Sequence, residues 1–340
     1  MGVLRSPRRA PRWGLGALLV ALPALMLVAV TAAVGDDTGS AAARAGASPP
    51  PPGGYFSIRP VGAWSALPTD AACRSRVHRS RWEPRHDNAG PNHHRPRARA
   101  VHRAFAARPV SSQGAYARRW DRWLLPRVDG QFTGTTDEIF QWAACKWGLP
   151  DDLLRAIAVR ESTWYQFEVY PSGRPVDDFG SGDLVTSATR ATRVFCDALA
   201  WHGRDYQRDY GKGRCPETFS IVGVMSWEAP SWGRMRANQN GTFPFSRDST
   251  AFAVDYLGGQ LRGCYEGWES WLRHTGTGHY SAGRIWGCVG AWYSGGWHDR
   301  AANSYIAKVQ ASEEAHNWLR PGWPHNRPGC SPVHGCPRGS

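Results

Sequence analysis

The sequence predicts a mainly α-helical domain with long disulfide-stapled loops, preceded by a basic and poorly structured region. Three observations carry this. From Thr136 to Ser162, apolar residues recur with helical period on both sides of Gly148, the pattern of a helical hairpin. The chain has 8 Cys, an even number, behind an N-terminus that reads as an export segment. Arg recurs from Arg74 to Arg119 against only Glu83 and Asp87, among Pro and Asn breakers.

Residues 1–35 read as a signal peptide or an N-terminal membrane anchor. Arg5, Arg8, Arg9 and Arg12 precede an apolar run from Leu15 to Val34 that contains the small residues Thr31-Ala32-Ala33. The run is long for a signal and is interrupted by Pro23, so an uncleaved transmembrane anchor is the alternative, about 20 apolar residues being enough to span. Either reading places the remainder outside the cytoplasm, secreted or held in the cell envelope. Residues 36–54, rich in Ala, Gly, Ser and Pro, read as a linker with too little apolar surface to order itself.

The Arg-rich region, 55–127, carries most of the formal charge of +13, Lys occurring only at Lys146, Lys212 and Lys308. A stretch of this kind suits an anionic wall polymer, or is simply a solvated arm. Export and the lack of RNP-like aromatics or finger spacing argue against nucleic acid. His93 and His94 have no Cys or carboxylate at ligand spacing, so no metal is expected there.

The domain proper is read over 128–320. Thr133-Gly134-Thr135-Thr136 is a turn and cap, after which Ile139, Trp142, Ala143 and Lys146 mark a helix that ends at Gly148. Pro150, with Asp151 and Asp152, opens a second helix. On it Leu154, Ile157, Ala158 and Glu161 share one face, which places a carboxylate where a core residue is expected. Burial would raise the pKa of Glu161 and suit it to general acid work; pairing with an Arg is the alternative.

Beyond Glu161 lies a loop with Asp177, Asp178 and Asp183, then a helical pattern over 189–201. An apolar run follows from Ser220 to Trp227. Asp248-Ser249-Thr250 opens a helix that ends near Cys264, and a last helix spans about 301–319. Residues 321–340 form a Pro/Gly-rich tail. Pairing by proximity gives Cys196 with Cys215, Cys264 with Cys288 and Cys330 with Cys336, leaving Cys73 to Cys145 across the domain boundary. That is one of about 105 connectivities for eight Cys. Cys330, Cys336, His325 and His334 make an arithmetical zinc set, but in an exported chain the disulfide is preferred. No metal or other cofactor is expected.

Trp is abundant, 18 in all. Most should be core, with Trp164, Trp227 and Trp292 assigned to an open groove where flat indole faces meet the CH faces of sugars.

The hairpin Ala143-Ala144-Cys145-Lys146-Trp147-Gly148 running into Leu153 to Ser162 resembles the catalytic helix of soluble lytic transglycosylases and goose-type lysozymes. In that superfamily the Glu of a Glu-Ser pair at the helix end is the catalytic acid. Ser220 to Ser226 stands where the family has Gly-Leu-Met-Gln, Ala291-Trp292-Tyr293-Ser294-Gly295 where it has Ala-Tyr-Asn-Ala-Gly, and Tyr305-Ile306-Ala307-Lys308-Val309 resembles its closing helix. The resemblance covers roughly 136–310, and the chain is similar to exported actinobacterial proteins that carry such a domain. Ser226 replaces the family's Gln, Tyr293 its Asn, and the interval from Glu161 to Gly223 is longer.

The resemblance implies a lysozyme-like fold and a monomer that cleaves peptidoglycan glycan strands. Glu161 would be general acid and base, with Ser162, Gly223, Ser226, Tyr293 and Tyr305 beside Trp164, Trp227 and Trp292 at the substrate. A hydrolase normally needs a second carboxylate, for which Asp178 and Asp183 are candidates; a transglycosylase does not, because the substrate's acetamido group supports the oxocarbenium-like centre. The rivals are a wall-binding protein that keeps the fold without efficient chemistry, and a chitin or chitosan hydrolase.

Overall fold

The computed structural model describes residues 49–107, 119–166, 190–200, 212, 215–216, 218–225 and 240–320. The export segment, the tail with Cys330 and Cys336, and Ser226, Trp227, Asp177, Asp178 and Asp183 lie outside the described residues.

Three short helices come first: α1 (Asp70–Arg74), α2 (Ala89–His93) and α3 (Ala98–Ala107). The hairpin follows as α4 (Thr136–Trp147) and α5 (Asp151–Ser162). Thr135 and Glu138 close a capping box at the start of α4, and Gly148, at φ 61°, ends it in the left-handed conformation that glycine adopts most readily. After α6 (Arg190–Ala200), the two-residue strands β1 (Thr218–Phe219) and β2 (Val224–Met225) pair antiparallel, Phe219 opposite Val224. The remaining α-helices among the described residues are α7 (Phe245–Asp248), α8 (Thr250–Tyr265, capped by Ser249), α9 (Ile285–Ser294) and α10 (Arg300–Glu314). Among the described residues no helix is long and apolar enough to cross a membrane.

The core is helix on helix. α4 packs against α5 and α8, α5 against α10, and α9 against both α8 and α10. Every residue of α4 is buried, including Asp137, Glu138 and Lys146, so the helix needs polar partners on all sides. Lys146 Nζ lies 2.8 Å from Asp255, 3.1 Å from Asp129 and 2.9 Å from Asp70. Asp255 also accepts from the Trp147 indole N–H at 2.7 Å and from the Asp129 and Gly130 backbone N–H groups. Three of the expected disulfides are formed: Cys73–Cys145, Cys196–Cys215 and Cys264–Cys288.

The expectation of a poorly structured region over 55–127 fails for its described part, which is laid onto the hairpin by polar contacts. Asp151, the first residue of α5, accepts from the Tyr55 and Phe56 N–H groups at 2.9 Å. Arg262 donates to the Arg59 and Pro60 carbonyls, and the His78 N–H meets Gln141 at 2.8 Å. Glu138 takes Arg79 and the Ser80 N–H, and Glu83 accepts from the Thr136 N–H at 2.6 Å. These segments satisfy donors and acceptors that the hairpin would otherwise bury unpaired. Their Arg side chains are largely outward, so exposed positive charge and an ordered backbone coexist.

Burial pushes the Glu83 carboxyl up to about 7, against the backbone N–H groups of Thr136 and Arg85 that pull it down. A folded pKa above the unfolded value of 4.5 means the contribution is fully present below pH 4.5 and is lost as pH rises through about 7. Measured by urea unfolding, the wild type should therefore lose about 2–3 kcal/mol relative to Glu83→Gln between pH 4.5 and pH 8. A wild type that gains on Glu83→Gln as pH rises would show that the N–H donors outweigh burial.

Candidate active site

Glu161 sits in the last turn of α5 on the face shared with Leu154, Ile157 and Ala158, and is 7% exposed. Its Oε1 accepts the Tyr305 hydroxyl at 2.5 Å, a bond that brings α10 onto the end of α5. Oε2 faces Gly223. A β-carbon at position 223 would fall 2.7 Å from that oxygen and the glycine has φ 66°, so any other residue there would displace the carboxylate and strain the backbone.

The turn 220–223 is held from two sides. The Ser162 hydroxyl donates to the Ile221 carbonyl at 2.8 Å, and the Ile221 N–H donates to Gln166 at 3.1 Å. The Trp292 indole donates to the Val222 carbonyl at 3.2 Å. Tyr293 lies flat on Tyr305, ring centroids 4.5 Å apart and planes within 2°. Glu161, Gly223, Trp292, Tyr293 and Tyr305, far apart in sequence, therefore converge on one carboxylate and the turn against it. Such a carboxylate, with one oxygen held by a phenol and the other against a position kept free of side chain, can give and take a proton at a fixed place.

Two expected substrate contacts are structural instead. Ser162 is fully buried, its hydroxyl spent on Ile221. Trp164 is also fully buried and lines no groove, because the chain reverses on leaving α5: Thr163 and Trp164 both take left-handed conformations, φ 54° and 67°. The indole is thereby turned back onto the helix, donating to the Arg155 carbonyl at 3.0 Å and packing beside Phe140, Trp318 and Trp82. Left-handed backbone costs a non-glycine residue about 1–3 kcal/mol, and the two are consecutive. Trp292 and Tyr293 are half-buried.

Sequence reasoning missed Gln166, Asn88 and Arg85. Gln166 is fully buried and joins the Ile221 N–H to the Ser246 and Arg247 carbonyls, at 2.8 and 3.0 Å. From the Arg-rich region, Arg85 reaches the Thr163 carbonyl, and Asn88 the Trp164 carbonyl and the Gln166 N–H. Nothing in a single sequence marks them: Asn88 and Arg85 stand in a polar stretch without periodicity, and Gln166 stands among aromatic residues past the end of the helical pattern. No group of His, Cys, Asp and Glu suited to a metal ion occurs among the described residues.

No family model, curated protein or solved structure matches the chain.

Proposed function

We propose that the chain is an exported glycosidase that cleaves peptidoglycan glycan strands on a lysozyme-like domain, with Glu161 as general acid and then base. The observation that carries this is the Glu161 carboxylate itself: buried at a helix end, bonded to Tyr305 and opposed by Gly223. The export segment and the resemblance of 136–310 to lytic transglycosylases and goose-type lysozymes supply the substrate class.

In this reading Glu161 protonates the glycosidic oxygen from Oε2, while the Tyr305 hydroxyl steadies Oε1 as the leaving group departs. The half-buried rings of Trp292 and Tyr293 flank the sugars, and anionic wall polymer meets the outward Arg side chains of the N-terminal region. The deprotonated Glu161 then activates a hydroxyl of the sugar, giving a 1,6-anhydro end, or a water, giving a reducing end.

Purified protein incubated with peptidoglycan and with chitin oligomers, its products read by mass spectrometry, tests the reading. Cleavage of peptidoglycan supports it, anhydro ends marking the transglycosylase and reducing ends the hydrolase. Cleavage of chitin oligomers alone would move the substrate to chitin. Salt-sensitive pelleting with cell walls and no cleavage of either would make the protein a wall binder.

A further inference from the structure

We propose that Asn88 and Arg85 are positioning residues: the N-terminal region clamps the reversed turn Thr163-Trp164 and so fixes the catalytic helix end and its facing turn. This rests on the function proposed above for Glu161.

The two left-handed residues stand two and three positions after Glu161, and backbone of this kind persists only where its surroundings hold it. Both of their carbonyls are taken by side chains from far upstream. Arg85 Nε donates to the Thr163 carbonyl at 2.9 Å and Asn88 Nδ2 to the Trp164 carbonyl at 2.7 Å. Asn88 Oδ1 accepts the Gln166 N–H at 2.9 Å, and its Nδ2 also reaches the Thr136 hydroxyl at 3.1 Å, tying the turn to the start of α4. The Arg85 guanidinium lies 3.8 Å over the Tyr165 ring. Asn88 is 1% and Arg85 3% exposed, so neither belongs with the outward Arg side chains.

From Gln166 the connection runs on to Ile221, whose carbonyl is held by Ser162 and whose turn contains Gly223. If Thr163 and Trp164 relaxed into regular helix, Gln166 would leave Ile221 and the Glu161 to Gly223 approach would open. Asn88 and Arg85 thus act on the chemistry from within the protein.

In the full chain, Asn88→Ala should lower kcat about 10- to 100-fold with KM within about twofold, since misplacing a reacting group by about 1 Å has that effect. Amide hydrogen exchange should accelerate at least about tenfold at Thr163 to Gln166 and at Ile221 and stay unchanged within α4. Adding Thr163→Gly, which takes the left-handed conformation unaided, should restore part of kcat. Should Asn88→Ala fold poorly, Asn88→Asp removes the donor to Trp164 and keeps the acceptor for Gln166, and the same pattern is expected. Unchanged kcat and exchange would overturn the proposal. So would a general loss of protection that reaches α4 and is not relieved by Thr163→Gly. A wild type without turnover would sink the proposed function, while locally accelerated exchange in Asn88→Ala would still establish the clamp.

Discussion

Replacing Glu161 by Gln should reduce turnover of glycan strands by a factor of about 10³, with little change in thermal stability. Gln keeps the shape of the side chain and an oxygen for the Tyr305 hydroxyl, so α10 stays on the end of α5. What is lost is a group able to give and take a proton, a contribution of about 10²–10⁴ for a positioned acid-base residue. Equal turnover by the two proteins would remove Glu161 from the mechanism. A parallel loss of activity and folding would mean that the carboxylate is structural.

The largest effect on stability is expected at Arg155, on α5 ahead of Glu161. Its side chain is fully buried, with Nε 2.8 Å from Asp137 and Nη1 2.6 Å from both Asp151 and Asp152. Burial alone would lower its pKa, yet the Asp137 and Asp151 carboxylates raise it, so it stays charged. Arg155→Met leaves Asp137 and Asp151 in the interior without their cation, and removing one partner of a buried ion pair costs about 3–5 kcal/mol. Urea unfolding should register that loss, and Asp137→Asn with Asp151→Asn in the Arg155→Met background should recover much of it. A loss below about 1 kcal/mol would mean that the backbone donors of Tyr55 and Phe56 and other contacts suffice for the two acids.

What the sequence made legible follows from local rules. Gly148 and Pro150 punctuate the hairpin because a left-handed cap and a fixed φ are local requirements, and the 3.6-residue period put Glu161 on the buried face of α5. Ser249 announced α8 for the same reason. Three disulfides pair by proximity along the chain or across the boundary at Cys73, as cysteine spacing suggested.

What was illegible depends on contacts between segments. The Arg-rich stretch has no hydrophobic period over most of its length, yet Glu83, Asn88 and Asn92 supply single polar atoms to Thr136, the first residue of α4. A count of charges sees the arginines and Glu83 and overlooks the two asparagines. Trp164 misled for a different reason: its direction is set by two successive left-handed residues, Thr and Trp, of which neither sequence position gives a sign. Tyr293 and Tyr305 were placed at the site through the resemblance, and their stacking adds that a single substitution at 293 disturbs the phenol that holds Glu161.

The central claim is that Glu161 delivers a proton to a glycosidic oxygen. A crystal structure of Glu161→Gln bound to a peptidoglycan glycan oligomer tests it most directly. A glycosidic oxygen should lie within about 2.6–3.2 Å of the residue 161 side chain, on the Gly223 side, with sugar rings against Trp292 and Tyr293. An oligomer seated elsewhere on the protein, with residue 161 still enclosed by Tyr305 and Gly223, would contradict it.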